Sequence, residues 1–282
     1  MQNSNTYKIL SVNAGIFTVR NENEELKIPA AGKLRFRDEK PIVGDNVIVT
    51  NGQITEILDR RNFFIRPKVA NIDQMIVFMS STEPAFSSFL VDKYFAIVEN
   101  KNIEPILFIT KVDLDNPTAI EMHNLYSEMG YKVFLINNEQ DNFSFENIKH
   151  IFKNKYSVFM GQTGVGKTTT LNKLSNNNFE TQAISKALGR GKHTTRIVQI
   201  IYFNEGFLID TPGFSSLALD MNKVELAQSF KTFNTLSKQC KFRNCLHLNE
   251  SNNDCAVKQK VGTPEIPTIR YNNYVKLLSE LD

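Results

Sequence analysis

The chain has 282 residues, 41% of them hydrophobic, and carries 33 Lys and Arg against 30 Asp and Glu, a net charge of +3. That length suits two or three domains with packed cores, and the weak charge excludes a globally basic nucleic-acid binder, so any such surface must be local. No run of about 18 apolar residues reads as a membrane span, and the opening MQNSNT has neither the basic start nor the apolar core of a secretory signal. The expectation is a cytoplasmic protein with no membrane partner.

In chain order, residues 1–66 alternate short apolar runs (7–12, 15–20, 25–28, 46–50 and 53–58) with turns at Gly44-Asp45 and Asn51-Gly52. Asn-Gly between such runs is a strong hairpin signal, and so many short strands in so few residues predict a small β-barrel. Lys33, Arg35 and Arg37 flank Phe36 in its middle, a pattern compatible with RNA.

Residues 70–218 alternate strands and helices. Strands are predicted at 75–79, 106–109, 132–136, 156–160 and 206–210, with an antiparallel edge at 197–203. A helix over 87–100 places Leu90, Tyr94 and Ile97 on one face, another opens at Asn116-Pro117 and stops at Gly130, and a third begins at Lys167. This alternation predicts an α/β domain with a mainly parallel sheet. Residues 219–282 read as helical segments around a cysteine cluster, giving a multidomain α/β chain in three parts.

The stretch Gly161, Gln162, Thr163, Gly164, Val165, Gly166, Lys167, Thr168, Thr169 fits G-x-x-x-x-G-K-[ST] between an apolar strand and a helix. Glycines let backbone N–H groups turn around phosphate oxygens, the lysine reaches the β- and γ-phosphates, and the hydroxyl of Thr168 suits Mg²⁺. Thr110, Lys111, Val112 and Asp113 follow another apolar strand and fit N/T-K-x-D, in which a carboxylate accepts the ring N–H and exocyclic amine of guanine. Asp210 ends a third strand and opens D-T-P-G through Gly213. The guanine motif precedes the phosphate loop, the reverse of the ordinary GTPase order. Open α/β sheets gather ligands at the carboxyl ends of their strands, so the site survives when the strands are visited in another order. The chain therefore reads as a circularly permuted GTPase. An ATP-using P-loop enzyme has no need of TKVD, and a vestigial nucleotide site in an RNA-binding assembly module has no need of intact Lys167, Thr168 and Asp210.

All three cysteines, Cys240, Cys245 and Cys255, fall with His247 in the pattern C-x4-C-x-H-x7-C. Three thiolates and an imidazole predict one closed, structural zinc site, and an odd cysteine count argues against a disulfide framework.

Together these motifs resemble the RsgA (YjeQ, EngC) family of circularly permuted GTPases. The resemblance runs through Gly44-Asp45, Arg60-Arg61-Asn62, Asn71-Ile72-Asp73-Gln74, the basic stretch 189–196, Asp210 to Phe214, the cysteine cluster and Arg270-Tyr271-Asn272-Asn273-Tyr274. It implies an OB-fold at the N-terminus, GTP hydrolysis to GDP and phosphate stimulated by the small ribosomal subunit, a role in late maturation of that subunit, and contact with its rRNA by a monomer. Lys186, Arg190, Lys192 and Arg196, and near the cysteines Lys238, Lys241 and Arg243, are the local basic runs open to RNA. In the mechanism it implies, Thr168 and a switch threonine, Thr195, hold Mg²⁺, Asp210 acts through a metal-bound water, and the backbone of Gly213 meets the γ-phosphate. Phe214 stands where Ras-like enzymes carry a water-orienting glutamine, so the catalytic role falls to His193. Three departures stand out: Thr110 replaces the usual asparagine, the small base-capping motif is hard to find in 136–140, and Cys255 lies two residues further from His247 than the family pattern.

Overall fold

A computed structural model describes residues 5–36, 40–140, 145–175, 198–210, 214 and 217–281. Its strands are β1 (Thr6–Asn13), β2 (Ile16–Arg20), β3 (Glu25–Pro29), β4 (Asn46–Thr50), β5 (Gln53–Ile57), β6 (Phe63–Phe64), β7 (Val69–Ala70), β8 (Gln74–Ser80), β9 (Glu104–Thr110), β10 (Lys132–Ile136), β11 (Tyr156–Met160), β12 (Gln199–Phe203) and β13 (Gly206–Asp210). The helices are α1 (Gly32–Phe36), α2 (Ser88–Glu99), α3 (Asn116–Glu128), α4 (Glu146–Lys149), α5 (Lys167–Leu174), α6 (Lys223–Ala227), α7 (Lys231–Ser237), α8 (Ala256–Gln259) and α9 (Thr268–Ser279). The chain forms two compact units.

The first unit gathers residues 1–74, 145–159 and 171–214. Its barrel follows from alternation. Tyr7, Ile9, Phe17, Val19, Ile28, Val47, Val49 and Ile54 point inward, and Leu34 of α1 joins them. Strand pairs run β3-β2-β1-β4-β5, and a parallel bridge from Ala30 to Ile54 brings the two ends of that path together. Closure of this kind removes exposed sheet edges and gives the five-stranded OB arrangement. The β4–β5 hairpin turns on Asn51 and Gly52 with φ of 51° and 70°, the left-handed pair that Asn-Gly supplies at least cost.

The motifs on either side of β6 and β7 interlock. Arg60 grips the buried Asp45 carboxylate at 2.7 and 2.8 Å. Asn62 exchanges two 2.9 Å hydrogen bonds with the backbone of Ile72, and Asn71 donates to the Gly44 carbonyl while accepting the Arg61 N–H. Gly44 has φ 89°, and a Cβ there would lie 2.0 Å from the Ala70 oxygen, so no other residue fits. Asp73 then accepts the N–H of Tyr156 at 2.8 Å, and Gln74 donates to Ser157 Oγ and the Ile151 carbonyl. These side chains tie the end of the barrel segment to the start of β11. Lys8 lies 4.1 Å from the Tyr156 ring centroid and donates to Gly44, and burial pushes its pKa down to about 8.

Strand β13 pairs parallel with β11 and antiparallel with β12. The sequence reading made β12 an edge. Instead its far side pairs with β1 at Ser11 and Gln199.

The second unit gathers residues 75–144, 160–170 and 215–282. Strands β10, β9 and β8 lie side by side, with β10 and β9 parallel. Every residue of β8 is buried, as expected of a strand covered on both faces. Ser87 caps α2. Asp115, not Asn116, caps α3: its carboxylate accepts the Thr118 N–H, and Pro117 sits in the first turn where no N–H is needed.

Helix α9 packs on α2 through a buried ion pair. Arg270 Nε lies 3.0 Å from Asp92 Oδ1, with the side chains 3% and 1% exposed. Tyr126 donates to Asp92 Oδ1 at 3.0 Å, and Asn273 donates to its Oδ2 at 2.6 Å. Arg270 Nη2 has no hydrogen-bond partner among the described residues. Its guanidinium is instead surrounded by rings, at 4.4 Å from Phe230, 5.1 Å from Tyr131 and 5.7 Å from Tyr126. Their faces attract a cation.

Candidate nucleotide site and metal centre

The loop leaving β11 needs its glycines. Gly161 has φ 145°, and a Cβ there would lie 2.5 Å from the Phe78 oxygen. Gly166 has φ 83°, and its Cβ would lie 3.2 Å from Asn138 Nδ2. Val165 is buried, while Thr163, Gly164, Thr168 and Thr169 are exposed. Lys167 Nζ folds back to the carbonyls of Gly161 and Gln162 at 2.6 and 2.5 Å. Its ammonium is therefore held over the loop, with Thr168 exposed in the first turn of α5.

The guanine motif meets this loop directly. Thr110 is fully buried, and its Oγ1 lies 2.7 Å from the Val165 carbonyl and 3.3 Å from that of Met79. The threonine in place of asparagine thus still tethers β9 to the phosphate loop. Lys111 takes φ 57°, and its Nζ donates to the Glu83 carbonyl. Ser81 steadies the turn by donating to the Lys111 carbonyl at 2.8 Å. Val112 is half-buried, and Asp113 is exposed.

The segment expected to cap the base follows β10, whose last residue, Ile136, pairs with Thr110. Asn137 Oδ1 accepts the N–H groups of both Glu139 and Gln140. Asn138 is buried against Thr170 of α5, at 3.0 Å. No small residue marks this position. Asp210 ends β13. His193, Thr195 and Gly213, and the basic run Lys186 to Arg196, lie outside the described residues.

In the C-terminal segment the donor atoms of Cys240, Cys245, His247 and Cys255 all lie within 4.8 Å of one another. Cys240 Sγ stands 4.0 Å from Cys255 Sγ and 3.8 Å from His247 Nδ1, which is 3.3 Å from Cys255 Sγ. Tetrahedral zinc, with bonds of about 2.3 Å to sulfur and about 2.0 Å to nitrogen, separates its ligands by about 3.5–3.8 Å. The outer contacts fit as well. His247 Nε2 lies 3.1 Å from the Ala227 carbonyl, which leaves Nδ1 for a metal, and the Lys258 N–H donates to Cys255 Sγ. Burial lowers the His247 pKa, keeping the imidazole neutral, and raises the thiols of Cys245 and Cys255, so a cation is needed to keep them ionised. Tyr271 and Tyr274 of α9 donate to the carbonyls of His247 (2.7 Å) and Leu246 (2.5 Å). The cluster has the composition and spacing of a structural metal site.

The sequence pattern of the RsgA GTPase family matches residues 57–220. The chain is 51% identical to the small ribosomal subunit biogenesis GTPase RsgA of Mycoplasmopsis agalactiae, over 98% of each chain. The chain belongs to the RsgA GTPase family. A second RsgA relative, from Mycoplasmopsis pulmonis, is 46% identical over 97% of this chain and 98% of its own length. Among solved structures, YjeQ from Thermotoga maritima superposes with a TM-score of 0.83 at 31% identity, covering 98% of both chains. YloQ, described as a circularly permuted GTPase, gives 0.80 at 34%, covering 99% of this chain and 96% of its own. The reversed motif order read from the sequence is thus the order of the RsgA family.

Phe214, the residue after D-T-P-G, is buried edge-on to Phe64 with ring centroids 5.2 Å apart. It is an apolar anchor and has no contact to offer water. Among the described residues no helix is long and apolar enough to cross a membrane.

Proposed function

We propose that this chain is a GTPase that binds the small ribosomal subunit and assists its late maturation, hydrolysing GTP to GDP and phosphate in a cycle that the subunit stimulates. The observation that carries the reading is the Thr110–Val165 hydrogen bond, which seats a guanine motif against a phosphate loop that follows it in the chain. Residues 161–169 with Lys167 hold the phosphates, and Thr110 to Asp113 read the base. Thr168, Thr195 and Asp210 hold Mg²⁺, which supplies charge neutralisation when bound. Gly213 meets the γ-phosphate through its backbone, and His193 orients water, since Phe214 does not. Cys240, Cys245, His247 and Cys255 hold one structural zinc. The functional division is an OB-fold over 1–66, the GTPase over 70–218 and a zinc domain over 219–282. The chain works as a cytoplasmic monomer whose rRNA contacts fall on the barrel and on the basic residues near the cysteines.

The test is hydrolysis of GTP and ATP side by side, with and without purified small subunits. The expected result is slow GTP turnover, strongly accelerated by subunits, and no ATP turnover. Equal use of both nucleotides, or no acceleration by mature subunits, would overturn it.

A further inference from the structure

Asn138 has no role in the reading above. Its side chain is 7% exposed at the end of β10, and its Nδ2 and Oδ1 lie 3.0 and 3.2 Å from Thr170 Oγ1. The amide and the hydroxyl can exchange donor and acceptor there, which satisfies groups that would be costly to bury alone. Thr170 is fully buried in α5, and its N–H donates to the Gly166 carbonyl at 2.9 Å. Asn138 Nδ2 also occupies the space beside Gly166, 3.2 Å from where a Cβ would stand. Thr110 holds the same loop one residue earlier, at the Val165 carbonyl. The phosphate loop is therefore pinned at two adjacent points by the ends of two parallel strands, and the second pin is a side chain that comes from the segment beside the base motif.

We propose that Asn138 is a positioning residue that sets nucleotide retention. Through Thr170 and Gly166 it keeps the strand ends that face the base in register with the first turn of α5 that faces the phosphates. A bound guanine nucleotide spans both, so it holds on only while the two keep one spacing. Without the pin Gly166 is free to shift, and neither half need unfold for the nucleotide to leave sooner. The inference rests on the assignment of this site to guanine nucleotides.

The experiment is displacement of a fluorescent GDP analogue by excess GDP, followed in real time on the full chain. Asn138→Ala and Thr170→Val each remove one partner and are expected to release the analogue about 10- to 100-fold faster, the usual effect of orphaning a buried hydrogen-bonding group. Association should change much less. Thr170→Ser keeps the hydroxyl and should release at close to the wild-type rate, a rescue that general loosening of the core does not produce. The double variant Asn138→Ala/Thr170→Val should release the analogue more slowly than the product of the two single effects predicts, because both remove the contact they share. Release within twofold of wild type in both single variants, a Thr170→Ser variant as fast as Thr170→Val, or effects that multiply in the double variant would each overturn the proposal. Asp113→Asn serves as the control. If it also leaves release unchanged, the assignment of the site to guanine nucleotides fails; if it speeds release while Asn138→Ala does not, only the positioning role fails.

Discussion

Removing the Asp92 carboxylate should be among the most damaging single changes in this protein. Asp92 and Arg270 are 1% and 3% exposed, so water cannot replace either partner. Burial raises the Asp92 carboxyl pKa, while the guanidinium and the donors Asn273 and Tyr126 work against that rise. Asp92→Ala leaves the guanidinium buried with its rings, the Tyr131 hydroxyl and the more distant Glu99 carboxylate, and leaves the Asn273 amide and the Tyr126 hydroxyl only their 3.2 Å contacts to Ser88 Oγ and the Ser88 carbonyl. Breaking a buried pair from one side costs about 3–5 kcal/mol. Against a typical total of about 5–15 kcal/mol, that is about a fifth of the stability at the least. The assay is urea unfolding followed by far-ultraviolet circular dichroism, since the chain has no tryptophan to report. The companion variant Asp92→Leu/Arg270→Met removes both charges and should recover most of the loss, because paired buried charges add little over well-packed apolar groups. A cost below about 1 kcal/mol for Asp92→Ala, or no recovery in the companion, would refute the argument that desolvation of the orphaned arginine dominates.

Further outcomes follow from other residues. Asp113→Asn replaces one of two acceptors by a donor and should weaken GTP binding while shifting preference toward xanthine nucleotides, measured by direct titration. Purified protein should carry about one zinc per chain, and Cys245→Ser should lose it on elemental analysis while nucleotide binding persists. His193→Ala should keep GTP and subunit binding but lower the subunit-stimulated rate by about 10²–10⁴-fold; a variant stimulated as well as wild type removes His193 from catalysis. Lys8 should tilt stability with pH. Its folded pKa is about 8 against 10.5 in the open chain, so between those values the unfolded state holds more protons and stability rises with pH. Lys8→Met should flatten that slope when urea midpoints at pH 8 and pH 10 are compared.

The elements that could be read from sequence are those whose physics is local. Asn51-Gly52 fixes a tight hairpin by backbone conformation alone, and the loop 161–169 needs glycines wherever the chain is sequenced. The sequence reading takes Asn116 as the cap before Pro117; the cap lies one residue earlier because Asn116 is already helical and the carboxylate of Asp115 reaches the Thr118 N–H. The pairing of β12 with β1 joins segments far apart in the chain, and no pattern within either strand announces it. Asn138 was missed because its meaning lies in Thr170, on another element. Arg270 enters the sequence reading only among the residues of the family resemblance, and its buried pairing shows once Asp92 and the aromatic rings are brought around it.

Helix α9 has a consequence for the order in which the molecule is completed during synthesis. Neighbouring residues on it serve two distant places: Arg270 and Asn273 complete α2, while Tyr271 and Tyr274 close the turn that carries His247. Both places are translated before α9. Until it emerges, Asp92 has no cation and must stay in water, so the face of α2 that it occupies cannot be buried, and the carbonyls of Leu246 and His247 lack their phenol donors. A chain that stops before residue 268 therefore leaves both regions unfinished at once. Only when α9 docks do they close together, so one docking event completes both regions.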